Sequence, residues 1–254
     1  MLRLSLKVPA VVLGVPLPGS ENPYLVSPVG SVRISVDVWE CDSPEIKADP
    51  ASIKGLLEGF WGRLTRGMEL GVCSRVKLEE AERTPQSGLY ASITVGLVHA
   101  LARSYGEVLE DYEIIEMTRY ADGDRGDWGY VLDALRYSTL KGKTVVYRND
   151  EEYTSLSDEE LPLTPRGHII LGKPRVTIES VGSDVYGALI HAMGVTVLEA
   201  SLRIRDGEGL GRVMESLYPI HEGMLYTIWG VKAGEDSCIY SPGLPRRLEV
   251  ICQS

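Results

Sequence analysis

Residues 2–8 (LRLSLKV) alternate apolar and polar side chains, and that two-residue period predicts a half-buried strand. A second short strand is expected at 11–15 after Pro9, and the clean alternation of 32–39 (VRISVDVW) predicts a third. Between them, 16–31 (PLPGSENPYLVSPVGS) is rich in Pro, Gly and Ser and reads as a long loop, either a surface connection or a functional one. From Asp49 the period lengthens. Asp49-Pro50-Ala51-Ser52 is a helix start, and Ile53, Leu56, Leu57, Phe60, Trp61 and Leu64 recur at helical spacing, predicting a helix over 49–70. A strand at 72–78 follows. Then comes 84–103 (TPQSGLYASITVGLVHALAR), a turn at Pro85-Gln86-Ser87-Gly88 that runs into an apolar helix. Helices are expected at 110–120 and 128–137, and a strand at 143–148.

Residues 149–165 (NDEEYTSLSDEELPLTP) are acidic and then Pro-containing, and divide the chain into a unit at 1–155 and another at 156–254. The second unit gives strands at 168–171 and 175–180, helices at 185–203, 210–217 and 221–229, and closing strands at 237–241 and 248–252. Strands and helices mix without strict alternation or internal repeat, which points to an α+β protein of two adjoining layers.

Composition narrows the partners. With 44% hydrophobic and 24% charged residues in 254, the chain can bury a sizeable core. A formal net charge of -10 and the lack of any basic run argue against nucleic acid and anionic membranes. They also mean that a phosphate would have to be held by backbone amides and a metal. The apolar N-terminus is interrupted by Lys7, Pro9, Pro16 and Pro18, so it reads as strands and not as a membrane span. Cys41, Cys73, Cys238 and Cys252 show no CxxC pairing. They are expected as reduced thiols of a cytoplasmic protein, disulfides being reserved for a hyperthermophilic source. His99 and His191 fall in apolar helices as core histidines, and His168 and His221 begin elements, where a capping or solvent role suffices. No two histidines have zinc spacing, and neither Gly-x-Ser-x-Gly nor GxGxxG is present.

Three places carry candidate chemistry. A glycine turn opening a helix is an anion site, because the first helical amides lack internal partners and the macrodipole is positive there. Ser92, in the first turn, could cap that helix or ligate a metal. Glu116 inside a helix and Asp127 in the acidic loop after it (ADGDRGD) could be a metal ligand and a base, or a solvated charge and the N-cap of the helix from Trp128. The third place is the segment 230–238 (GVKAGEDSC).

The order of these motifs resembles the GHMP kinases, the superfamily of galactokinase, homoserine kinase, mevalonate kinase and phosphomevalonate kinase. Lys7-Val8-Pro9-Ala10-Val11-Val12-Leu13-Gly14 stands for the family's first element, 85–92 for its phosphate loop and 230–238 for its last glycine-rich loop. Glu116 and Asp127 are eleven apart, as are the metal-binding glutamate and catalytic aspartate of mevalonate kinases. Gly126-Asp127 before a helix, with Arg148 on the next strand, is similar to the archaeal pantoate kinases.

The resemblance implies a ribosomal-S5-domain-2-like N-terminal half and a ferredoxin-like C-terminal half. It implies ATP- and Mg2+-dependent phosphorylation of a small hydroxyl-bearing metabolite. Asp127 would be the catalytic residue. Pro85, Ser87, Gly88, Leu89, Tyr90, Ala91, Ser92 and Gly234 would bind the nucleotide, and Ser92 and Glu116 the metal. The partner expected is a small molecule, with a homodimer compatible. Departures from the family pattern are Ala10 and Val11 in the first element, Tyr90 and Ala91 in the phosphate loop, and Glu235 and Asp236 in the last. They support an alternative expectation, a non-catalytic pseudokinase or binding protein on the same fold; a decarboxylase or synthase acting on a phosphorylated substrate is the third.

Overall fold

The computed structural model describes residues 1–17, 23–68, 71–81, 84–124, 128–148, 152–161, 163–232, 238–243 and 246–253. The first strand, β1 (Leu2–Leu13), is one element where two were expected. Pro9 does not break it, because the register shifts at Val8/Pro9 and sets Pro9 opposite Pro28 of β2 (Tyr24–Cys41). Neither proline has an N–H to contribute to the ladder, so the two share one irregularity. The strand β2 is 18 residues long and takes up much of the expected 16–31 loop.

That length makes β2 the spine of the larger sheet. Along one edge it pairs with β1, from Leu2↔Val36 to Leu13↔Leu25. Its other edge is shared: its start pairs with β5 (Thr144–Arg148), and its end with β4 (Gly71–Ala81). β3 (Ile46–Asp49), which the sequence pattern missed, adds in parallel to β4, and β6 (Glu152–Ser157) adds to β5. The path is β3-β4-β2-β5-β6 with β1 on β2. A 3-10 turn (Ala51–Ile53) leads into α1 (Lys54–Leu64), which is shorter than the expected 49–70 helix. The helices α2 (Gln86–Ser104) and α4 (Gly129–Lys141) pack on β1 and β2, with α3 (Asp111–Asp122) against both. Gly96 permits the close approach of α2, since a Cβ there would stand 2.4 Å from Ile34 Cδ1.

The change of sheet comes after β6, so the division expected at residue 155 falls inside that strand. β7 (Leu163–Ile170) pairs with β9 (Arg247–Gln253), which pairs with β8 (Cys238–Pro242). Where a strand was expected at 175–180 there is a short helix, α5 (Ile178–Val181), followed by α6 (Ser183–Arg205). The two expected helices at 210–217 and 221–229 are a single α7 (Leu210–Trp229) that passes through Pro219. Only one helical hydrogen bond is lost there, and the buried residues on both sides of the proline lie along the same helix.

Side chains tie the halves together. Val11 N–H donates to Ser241 Oγ at 2.9 Å, and Trp229 Nε1 to the Pro16 carbonyl at 2.9 Å. His221 corrects its expected capping or solvent role: it is fully buried, accepting from Gly14 N–H at Nδ1 (3.3 Å). Its proton is therefore on Nε2, which faces the Tyr240 carbonyl at 3.3 Å. Burial drives its pKa down to about 4.

The cysteines also correct expectation. They form two disulfides, Cys41–Cys73 between β2 and β4 and Cys238–Cys252 between β8 and β9. Each joins strands already paired, a proximity the one-dimensional spacing does not show.

Candidate functional site

The residues expected to form a phosphate loop are instead the first two turns of α2. Pro85 is its N-cap, with extended ψ, and Leu89 N–H already bonds the Pro85 carbonyl at 2.8 Å. From Leu89 onward the amides serve the helix, so those of Leu89, Tyr90, Ala91 and Ser92 do not cradle a phosphate. Only Gln86, Ser87 and Gly88 keep amides free of helical partners. Gly88 lies against β1, where a Cβ would meet the Pro9 carbonyl at 2.0 Å, so glycine here serves packing.

The helix start is filled from within the chain. Glu249, on β9, accepts at Oε1 from Ser87 N–H (2.8 Å) and from Ser87 Oγ–H (2.9 Å), and the Gln86 backbone also reaches its carboxylate. Glu249 is 6% exposed. Burial raises its pKa, while the bonds from Ser87 and Gln86 oppose that rise without cancelling it. Gly243 lies so close that a Cβ would collide with Ser87 Oγ, and Arg247 Nη1 donates to Gln86 Oε1 at 3.3 Å. A carboxylate at the positive end of a helix is the arrangement an external phosphate would otherwise complete.

Tyr90 points the other way, into the packed helices. Its hydroxyl donates to Asp122 Oδ1 at 3.0 Å, and Arg136 grips both oxygens of the same carboxylate at 2.6 and 3.0 Å. Arg136 is fully buried, 6.0 Å from the Tyr90 ring, with Nε donating to Thr94 Oγ1 at 3.3 Å. Beside it, Asp133 Oδ2 accepts from Arg119 Nε at 2.8 Å, and burial lifts the Asp133 pKa to about 6. Tyr90, where the family has glycine, is thus part of a buried ionic core joining α2, α3 and α4.

The expected metal ligands do not share a position. Ser92 is fully buried, its hydroxyl within 2.9 Å of the Lys7 and Gly88 carbonyls and 3.2 Å of Thr139 Oγ1. Glu116 is exposed on α3 and accepts from Arg119 Nη1 at 2.7 Å. Asp127 and Gly234, with Glu235 and Asp236, lie outside the described residues; Asp127 immediately precedes Trp128 and α4. As folded, the described residues do not fit Mg-ATP at the start of α2: the Gln86 and Ser87 amides are engaged, a carboxylate is already there, and Ser92 faces the protein interior.

Sequence reasoning passed over Glu249 and the Asp122–Arg136 pair. Part of the signal was present: an acid inside the apolar strand RLEVIC, and Arg136, with Asp133, inside the apolar run YVLDALRYS. Their partners lie 162 and 14 residues away, beyond the reach of pattern reading.

Two hollows remain. One of about 230 Å3, between α1 and the start of α2, is lined by Leu56, Leu57, Leu89, Tyr90 and Ile93. It is smaller than the ~300–1,000 Å3 usual for ligand pockets. The other, about 850 Å3, is a cleft between α6 and the β5–β6 ribbon. Val146, Leu156, Ile190 and Leu202 make it apolar, and Arg148 and Arg205 give it positive charge. Gly187 and Gly194 of α6 widen it: a Cβ on Gly187 would meet nothing within 4 Å.

No protein-family model and no curated protein matches the sequence. The fold, however, is found in solved structures. The phosphomevalonate kinase of Streptococcus pneumoniae superposes with a TM-score of 0.64 at 12% identity, covering 100% of this chain and 92% of that one. The mevalonate kinase of L. major, solved with R-mevalonate, gives 0.60 at 13% identity, covering 100% and 88%. The mevalonate pyrophosphate decarboxylase of Streptococcus pyogenes gives 0.57 at 8%, covering 100% and 89%. This chain has the GHMP-kinase fold. The expected α+β arrangement in two parts is therefore the one adopted. At these identities the likeness speaks for the fold alone, and a GHMP-kinase fold that hosts both kinases and a decarboxylase leaves the chemistry to the site.

Proposed function

We propose that this chain is a small-molecule-binding protein of the GHMP-kinase fold in which nucleotide phosphate does not dock at α2, and that its ligand enters the cleft between α6 and β5–β6. The observation that carries this reading is the Glu249 carboxylate on the amide and hydroxyl of Ser87. An arriving phosphate would have to displace a buried acid that already uses those donors, or lie beside it as a second anion. The cleft offers what the helix start withholds: open volume, apolar walls and the cations Arg148 and Arg205. It suits a compound with an apolar body and an anionic end. Calorimetric titration tests the reading. No heat is expected with Mg-ATP up to millimolar concentration, and a Kd below about 100 μM, worth roughly 5.5 kcal/mol, would overturn it.

The alternative is ATP- and Mg2+-dependent phosphorylation of a small metabolite, with Asp127 as the catalytic residue and Ser92 and Glu116 as metal ligands. The whole-length match to mevalonate and phosphomevalonate kinases favours it. It requires Glu249 to leave Ser87 and Ser92 to turn out of the α2–β1 interface. ATP turnover lost in Asp127→Ala with folding intact would establish it.

A further inference from the structure

The cleft beside α6 departs from the charge of the chain around it. The chain carries 36 acids against 26 lysines and arginines, yet among the described residues that line the cleft none is acidic. They include Arg148, Arg205 and His191. A concave surface with apolar walls and charge of one sign concentrates the field of its cations. The helix that forms one wall is itself apolar and poorly covered. Its most apolar 18-residue window has a mean hydropathy of 1.4 and is only 28% buried.

The two arginines sit at different levels of this cleft. Tyr24 pairs with Tyr147, so Pro23 lies alongside Arg148. A Cβ on Gly194 would stand 4.0 Å from Pro23 Cγ, which puts Arg148 near the level of Gly194 on α6. Farther along, Glu159, just past β6, accepts from Leu210 N–H at 2.6 Å. The close of β6 therefore lies beside the end of α6, where Arg205 is. From Gly194 to Arg205 is about 16 Å of helix. Val146, Leu156, Leu198 and Leu202 line the same cleft and give it an apolar body. Arg205 is also little engaged. Its neighbour Arg203 donates from Nε to Glu208 at 2.7 Å and from Nη1 to Ser216 at 2.6 Å. Among the described residues Arg205 has a single ion contact, to Asp206 at 4.0 Å, with both side chains exposed. Such contacts are weak.

We propose that the ligand of this cleft is a linear dianion, an apolar chain bearing an anionic group at each end, that spans Arg148 and Arg205. This rests on the cleft being the ligand site, as proposed above, and narrows the ligand from one anionic end to two. Each guanidinium takes one anionic group in its fork, and the apolar side chains cover the body between them. His191, three residues before Gly194, adds a ring nitrogen at the Arg148 end. A compound with one anionic end would leave one of the two arginines unanswered.

Calorimetric titration of the full chain at low ionic strength, where exposed charges are least screened, tests this. The probes are decanedioate and decanoate, the same apolar chain with two carboxylates and with one. Decanedioate is expected to bind at least ~10-fold more tightly, as a second charge-assisted contact warrants. Succinate, too short to reach both arginines, should not match it. Arg148→Gln and Arg205→Gln should each bring decanedioate down to the affinity of decanoate. Circular dichroism should be unchanged, since both side chains are exposed. Decanoate binding as tightly as decanedioate to the wild type overturns the two-ended ligand and leaves the cleft as the ligand site. So does succinate that equals decanedioate, or an advantage that survives either substitution. If neither decanoate nor decanedioate binds at millimolar concentration, the cleft is not the ligand site and the two-ended ligand falls with it.

Discussion

The start of α2 and the outer side of α6 are both helical surfaces of the kind that recognise other molecules, and the chain treats them oppositely. At α2 the side chains read as anion or metal contacts are engaged within the chain: Ser87 by Glu249, Tyr90 by Asp122, Ser92 by the Lys7 carbonyl. At α6 an apolar stripe and a cleft of about 850 Å3 are left to solvent. Kinases of this fold and a decarboxylase share the frame. The difference between the two helices is one of internal satisfaction: the polar side chains at the start of α2 are bonded within the chain, while the outer side of α6 stays open.

The comparison can be broken or sharpened experimentally. The largest effect is expected where the closed region is most heavily desolvated. Asp122→Ala strands the fully buried Arg136 guanidinium and should cost about 3–5 kcal/mol of stability, read by urea denaturation. Asp122→Ala without measurable loss would mean that the ionic core is not closed as described. Reduction of the two disulfides comes next, at roughly 2–4 kcal/mol each, and a dithiothreitol-dependent fall in Tm checks it. Glu249→Gln keeps the shape but removes the charge from the start of α2. It should cost about 1–2 kcal/mol, and it alone should admit inorganic phosphate there, seen by calorimetry.

Smaller still is the pH response, in which two buried groups act with opposite sign. The depressed pKa of His221 means that the unfolded chain binds the extra proton. Stability is full above about 6.5 and is lost as the pH falls toward about 4. Asp133, raised to about 6, does the reverse: its contribution is present below about 4 and is lost as the pH rises toward 6. Glu249, also raised, acts in the same direction as Asp133. Comparing the pH profiles of Tm for His221→Gln and Asp133→Asn separates the two. The first should melt less steeply with acid than wild type, and the second more steeply.

The legible part of this protein was what local periodicity controls. The alternation of 32–39, the apolar run that became α2 and the long helix that became α6 all lie close to where their spacing put them. The errors have particular causes. Pro9 and Pro219 read as breakers, but one lies opposite Pro28 at a register shift and the other costs its helix one hydrogen bond. The acidic stretch after Asn149 concealed β6 because a hairpin partner, and not apolar content, makes that strand. The assignment of Ser92 and Gly88 rests on the order of motifs alone. The same spacing equally permits the interior uses they have here, a hydroxyl on the Lys7 carbonyl and a close pass of the Pro9 carbonyl. What no local pattern could supply was Glu249 as the partner of Ser87.

That pairing also bears on how the protein is made. Ser87 and Glu249 are 162 positions apart, so during synthesis the segment of α2 emerges well before the carboxylate that meets its first turn. At ~5–20 residues per second that interval is roughly 8–30 s. Until β9 arrives, Ser87 has no carboxylate from Glu249 to donate to.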